Sequence, residues 1–211
     1  MLSNFKKNSM TKPETLQPGN FYHIYNRGIN SCNIFTEQRN YSYFLKLYEK
    51  YIFQIADTFA WVLMPNHFHF LVRIKDSVVN SDRVLNPVRV VKTNKKSTPS
   101  LQFSKLFNAY AQAFNKQEER HGALFERPFK RKLVEGEDYL SDLILYIHNN
   151  PVRHRFCEKT EQYPWSSYHS CISEKPTKLQ RKSVISWFDD ISNFKFVHNE
   201  MADLVQFDEW D

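Results

Sequence analysis

The chain has 211 residues, 41% of them hydrophobic and 25% charged, which suits one sizeable core with a terminal appendage and is short for two full domains. Four glycines, with neither GxGxxG nor a P-loop among them, exclude a Gly-rich nucleotide cradle. The net charge of +6 points to a polyanionic partner, and no apolar run reaches the roughly 18 residues of a membrane span.

Residues 1–19 read as a flexible lead without the apolar centre of a signal peptide, closing on the turn-like "QPGN". "FYHIYNRG" is a strand ending at Gly28. "TEQRNYSYFLKLYEKYIFQ" is a helix with Thr36 as N-cap and Tyr41, Phe44, Leu45, Tyr48 and Ile52 at helical spacing. "DTFAWVLM" and "HFHFLVRI" are two strands joined at "PN" in a tight hairpin. Residues 75–99 are polar and basic, a long loop. "SLQFSKLFNAYAQAFNKQEE" is a second helix with Leu101, Leu106, Phe107, Tyr110 and Phe114 on one side, and "FKRKLVE" is a short basic strand. "GEDYLSDLILYIHNN" is a third helix that Pro151 ends, and residues 171–211 form a helical appendage. The order is that of a ferredoxin-like α+β sandwich, an antiparallel sheet with helices on one face. Cys32, Cys157 and Cys171 are odd in number and form no CxxC, as expected of reduced thiols in a cytoplasmic protein.

Alternate strand residues point the same way, so Phe68, Phe70, Val72 and Ile74 make one apolar face. His67, His69, Leu71 and Arg73 make the other, which this architecture leaves open. Two imidazoles on one side can hold a divalent metal, or can simply be two part-exposed histidines. No HExxH and no H-x-H-x-H occurs, so a third ligand must come from elsewhere. On the third helix Leu140, Leu143, Ile144 and Ile147 form an apolar stripe, while Asp142, Tyr146 and Asn150 climb one flank. A phenol and an amide oxygen one turn apart there can reach a metal, or can be an ordinary core edge.

"MPNHFHFLV" and, later, "YIHNNPVR" together resemble the single-tyrosine HUH transposases, most closely the REP-associated tyrosine transposases. "HIYNRG", "FNAYAQAFNKQEERHGALFERPFKRKLVE" and "YPWSSY" agree, so the resemblance spans residues 20–170. It implies nicking and rejoining of single-stranded DNA near a hairpin, through a 5′-phosphotyrosine. Position by position, it implies His67, His69 and Asn150 as metal ligands and Tyr146 as nucleophile, with Tyr139 the rival tyrosine. A phenol with a pKa near 10 needs activation at neutral pH, and an open site of two imidazoles and an amide suits Mg²⁺ or Mn²⁺. Arg27, Arg73, Arg127, Lys130, Arg131, Lys132 and Arg153 are the candidate contacts to single-stranded or hairpin DNA, joined by the basic residues of the long loop. The REP-associated branch implies a monomer rather than a homodimer. Phe125, Glu126 and His154 depart from the family pattern, none of them at the expected chemistry. The competing readings are a hairpin-DNA-binding protein that does not cut, and a metal-dependent phosphohydrolase that forms no covalent adduct.

Overall fold

The computed structural model describes residues 14–76 and 98–200. The lead up to residue 13, the basic loop from 77 to 97 and the appendage from 201 lie outside the described residues. The elements follow in the order β1 Phe21–Arg27, α1 Gln38–Ile52, β2 Ala56–Leu63, β3 His67–Ile74, α2 Pro99–Gln117, β4 Lys130–Val134 and α3 Glu137–Arg153. The strands form one antiparallel sheet in the order β2-β3-β1-β4, the split βαβ pattern expected of the sequence.

The first core lies where helical and strand periodicities meet. Tyr41, Phe44, Tyr48 and Ile52 of α1 and Leu106, Phe107, Tyr110 and Phe114 of α2 pack on Tyr22, Ile24, Phe68, Phe70, Val72 and Ile74. Much of the aromatic content sits here; Tyr48 stacks on Phe70 with centroids 4.4 Å apart. Leu101 is left 43% exposed, because Phe103 turns toward the sheet in its place. Thr36, the expected N-cap, falls one residue before the actual one, Glu37. Its backbone N–H and that of Glu37 both donate to Asn40 Oδ1, so the side chain of Asn40 reaches back to cap the helix.

The other face of the sheet, open in the expectation of helices on one face alone, is covered. Phe59, Ala60, Val62 and Leu71 meet Leu140, Leu143, Ile144 and Ile147 of α3 in a second core. Outside α3 lie α4 Tyr168–Ile172, α5 Arg181–Ser186 and α6 Ile191–Glu200, which contribute Tyr168, Val184 and Phe194. Enclosed from both sides, α3 is buried from Leu143 to Pro151 without a polar face. Pro151 does not end it. A proline near the last turn forfeits one backbone hydrogen bond, and His154 N–H still donates to Asn150 O at 3.0 Å. The chain after α3 also seals the edge of β2. Leu63 N–H donates to Trp165 O, Ser167 N–H to Trp61 O and Gln180 N–H to Thr58 O, each at 2.9 Å, which leaves that edge less open to foreign strands.

Candidate active site

The β2–β3 hairpin delivers the two histidines. Met64 N–H donates to His67 O at 2.8 Å and closes the turn at Pro65 and Asn66. Ile34 and Phe35 N–H both donate to Pro65 O, and Gly28 N–H donates to Asn66 O, so the hairpin tip is fixed from outside. Gly28 is the one residue that fits here: a Cβ on it would lie 2.1 Å from Cys32 O. In the register of β1 and β3, His67 faces Arg27 and His69 faces Tyr25.

The third helix brings its flank to the same place. The Tyr146 ring stands edge-on to His69 with centroids 5.4 Å apart, and Asn150 Oδ1 lies 2.9 Å from His67 Nε2. Tyr146 and Asn150 are each 1% exposed and His69 is 2% exposed, whereas His67 is half-buried. The four residues singled out in the sequence therefore meet. Tyr139, the rival tyrosine, lies about 10 Å back along the helix axis and packs in the second core.

The hydrogen bonds around the histidines fit a cation. His67 has amide oxygens at both ring nitrogens, Asn66 Oδ1 2.7 Å from Nδ1 and Asn150 Oδ1 2.9 Å from Nε2. A neutral imidazole carries one N–H. With that proton given to Asn66, a nitrogen lone pair faces the Asn150 oxygen, an arrangement a shared cation relieves. His69 Nδ1 lies 2.9 Å from His23 Nε2, and His69 Nε2 is buried without a hydrogen-bond partner. Burial, then the nearby His23, His67 and His154, hold the His69 pKa well below the ordinary value, leaving the ring neutral and able to ligate. Among the described residues no three His, Cys, Asp or Glu side chains gather as a metal cluster, so the fit depends on the amide oxygen of Asn150. Two imidazoles and one amide oxygen leave positions open for water and phosphate, as Mg²⁺ or Mn²⁺ requires.

The basic candidates divide by face. Arg27 borders His67, donates to Ser31 Oγ at 2.7 Å and pairs with Glu126 at 3.7 Å. Arg153 is exposed, with its guanidinium 5.4 Å from the centre of the Tyr146 ring. Lys130 faces Tyr25 and Lys132 faces His23, on the histidine side of β4. Arg131 projects the other way, stacks 3.8 Å over the Phe129 ring and donates to Ser100 Oγ of α2. With Arg127 it lines a cavity of about 550 Å³ beside α2. Arg73 lies about 20 Å along the strand from His67 and is engaged with Gly19 O and Asp76. The structure does not bring Arg73 or Arg131 to the histidines.

Two residues were missed in the sequence. His23 is fully buried against His69, and a lone histidine in "FYHIYNRG" gives no signal by itself. His154 was set aside as irrelevant to the chemistry, yet its ring centroid lies 5.0 Å from that of His67. The signal was present: His154 continues the Tyr146 and Asn150 spacing by four residues, and only the supposed stop at Pro151 hid it. Of the other departures, Phe125 packs on Phe68 and Phe107 in the first core, and Glu126 is the partner of Arg27.

No family model matches the chain. A curated Haemophilus influenzae protein named as a REP-associated tyrosine transposase is 28% identical over 115 residues, which are 54% of this chain and 59% of that one. The match thus spans less than two thirds of the relative's length. A solved structure of a REP-associated tyrosine transposase bound to a REP hairpin superposes with a TM-score of 0.55 at 14% identity, covering 80% of this chain and 89% of its own. In sequence over half its length, and in fold over four-fifths of it, this chain is similar to the REP-associated tyrosine transposases.

Proposed function

We propose that this chain nicks and rejoins single-stranded DNA beside a hairpin, with Tyr146 as the nucleophile. The observation that carries this reading is the delivery of Tyr146 and Asn150 by one helix to both histidines of one strand. His67, His69 and Asn150 would hold a divalent cation, and the chemistry it supplies when bound is polarisation of the scissile phosphate. The Tyr146 oxygen attacks phosphorus and the 3′-oxygen leaves, giving a 5′-phosphotyrosine and a free 3′-hydroxyl. The phenol gives up its proton and the departing oxygen takes one. The reverse attack by a 3′-hydroxyl rejoins the strand, so the phosphodiester energy is conserved. Because Tyr146 is 1% exposed, the phosphate must enter by displacing the rim, where Arg153 and His154 are the exposed side chains. Arg27, Lys130 and Lys132 offer charge for the flanking phosphates. The site is assembled from β1, β3 and α3 of a single chain, which supports action as a monomer. The REP hairpin bound to the solved REP-associated tyrosine transposase supports hairpin DNA as the substrate. No helix among the described residues is long and apolar enough to cross a membrane.

The test is incubation with Mn²⁺ and labelled hairpin oligonucleotides carrying single-stranded flanks, followed by denaturing electrophoresis. A slow, protease-sensitive band absent from Tyr146→Phe is expected. Free 5′-phosphate products that survive the substitution would replace the transesterase by a phosphohydrolase. Hairpins that bind but stay whole would replace it by a binding protein.

A further inference from the structure

The cation reading leaves without a role the buried histidine in contact with His69. His23 is 0% exposed in the middle of β1, between the stacked ring of Tyr25 at 4.7 Å and that of His69 at 5.0 Å. An aromatic hydrocarbon would fill this place without bringing buried polar nitrogens. What the imidazole adds is the contact of its Nε2 with His69 Nδ1 at 2.9 Å.

Two neutral imidazoles in contact share one proton, and it lies on one ring or the other. If His23 donated, the His69 proton would sit on Nε2, a buried donor with no acceptor in reach. That N–H would occupy the nitrogen a metal needs. If His69 donates from Nδ1, the His23 proton falls on its own buried Nδ1, so burial alone does not choose between the two directions. Only this one, however, leaves the His69 Nε2 lone pair open, and a cation held there selects it. Histidine ligands ordinarily have their second nitrogen fixed in this way by a carboxylate, a carbonyl or water. Here the role falls to a second histidine on the neighbouring strand.

We propose that His23 is the positioning residue of the metal site: it accepts the Nδ1 proton of His69 and so keeps the Nε2 lone pair of that ring available to the cation. Lys132 lies opposite His23 in the β1–β4 pair. The inference rests on the cation reading above, and the two can fail separately.

The experiment uses the full chain without DNA and reads free Mn²⁺ by its electron paramagnetic resonance signal. His23→Phe removes the acceptor at similar volume and is expected to weaken Mn²⁺ binding about 10- to 100-fold, the usual loss when the partner of a ligating histidine is removed. His23→Gln places an amide oxygen near the lost Nε2 and is expected to stay within about threefold of wild type. Thermal melts accompany both, because a merely structural role would lower the melting temperature and leave the affinity of the folded protein alone. Long-range ¹H–¹⁵N spectra of the wild type loaded with diamagnetic Mg²⁺ should show His69 protonated at Nδ1 and unprotonated at Nε2. Unchanged affinity in folded His23→Phe, or a metal-loaded wild-type His69 protonated at Nε2, would overturn the proposal. Should His23→Phe fail to fold, the wild-type tautomer decides. Absence of Mn²⁺ binding by the wild type would sink the metal site itself, whereas equal binding by wild type and variant would sink only the role of His23.

Discussion

At the residue scale the site is notable for charge it does not carry. His67, His69 and Asn150 are neutral donors, so a divalent cation held there would keep its full charge for the phosphate. Asn150→Asp should reverse that balance. A carboxylate at a position 1% exposed and 2.9 Å from His67 Nε2 would bind the cation more tightly, by about tenfold or ~1.4 kcal/mol. Formation of the covalent adduct should fall, because the added negative charge repels the phosphate and dampens its polarisation. Mn²⁺ titration beside single-turnover adduct formation checks both directions. If adduct formation rises with affinity, the neutrality of the third ligand is not what the reaction uses. The two histidines and their shared face were readable from strand alternation alone, since a period of two leaves no other arrangement. His23 was not readable, because its role depends on pairing across strands, Tyr25 to His69 and His23 to Leu71, which the sequence of one strand does not contain.

At the element scale, α3 is held from behind by a hydrogen-bond chain whose direction can be worked out. His198 Nδ1 lies 2.7 Å from Phe194 O, which can only accept, so that nitrogen bears the proton and His198 Nε2 accepts from His148 Nδ1 at 2.9 Å. His148 Nε2 then accepts from the Ser167 hydroxyl at 2.7 Å, and Ser167 Oγ takes the Trp61 N–H at 2.8 Å. Both rings must be neutral, in keeping with burial pushing His198 down to about 4 and His148 well below the ordinary value. A histidine depressed on folding contributes its full stability above the unfolded pKa near 6.5 and loses it as pH falls toward the folded value. Unfolding free energy should thus drop between pH 6.5 and 4, at up to about 1.4 kcal/mol per pH unit for each such ring. His198→Gln keeps an acceptor for His148 without titrating. Urea denaturation at pH 7.5, 6 and 5 should show its acid slope shallower than wild type by one ring's share, and identical slopes would exclude His198 as a contributor. Gly28 acts on the other side of the site. Gly28→Ala would drive a Cβ against the backbone oxygen of Cys32, which is no flexible side-chain end. A loss of about 2–4 kcal/mol is expected in the same denaturation assay. Helix periodicity placed α1 and α2 correctly, but it could not show α3 closed in on both sides. That depends on a return of the chain to the β2 edge, made of backbone hydrogen bonds that "YPWSSY" does not advertise.

At the scale of the whole molecule, the +6 charge matters only as it is distributed over faces. In β4 the sequence left the facing undecided, because Leu133 and Val134 are both apolar and either could have pointed to the histidine side. The register settles it. Lys130 and Lys132 share the face of His69 and His23, while Arg131 lies with Phe129 and α2. A lysine that touches phosphate releases about one counterion, so removing it lowers the slope of log affinity against log salt by about 0.7–0.9. Lys130→Ala should therefore weaken hairpin binding at low salt and flatten its salt dependence by that amount. Arg131→Ala should leave the slope unchanged and instead cost stability, because it strips a cation from the Phe129 ring and a donor from Ser100 Oγ. Filter binding of one hairpin oligonucleotide from 50 to 300 mM NaCl, with a thermal melt of each variant, separates the outcomes. A flattened slope in Arg131→Ala and none in Lys130→Ala would put the DNA on the α2 face, beside the cavity that Arg127 and Arg131 line. It would then have to wrap the β4 edge to reach Tyr146.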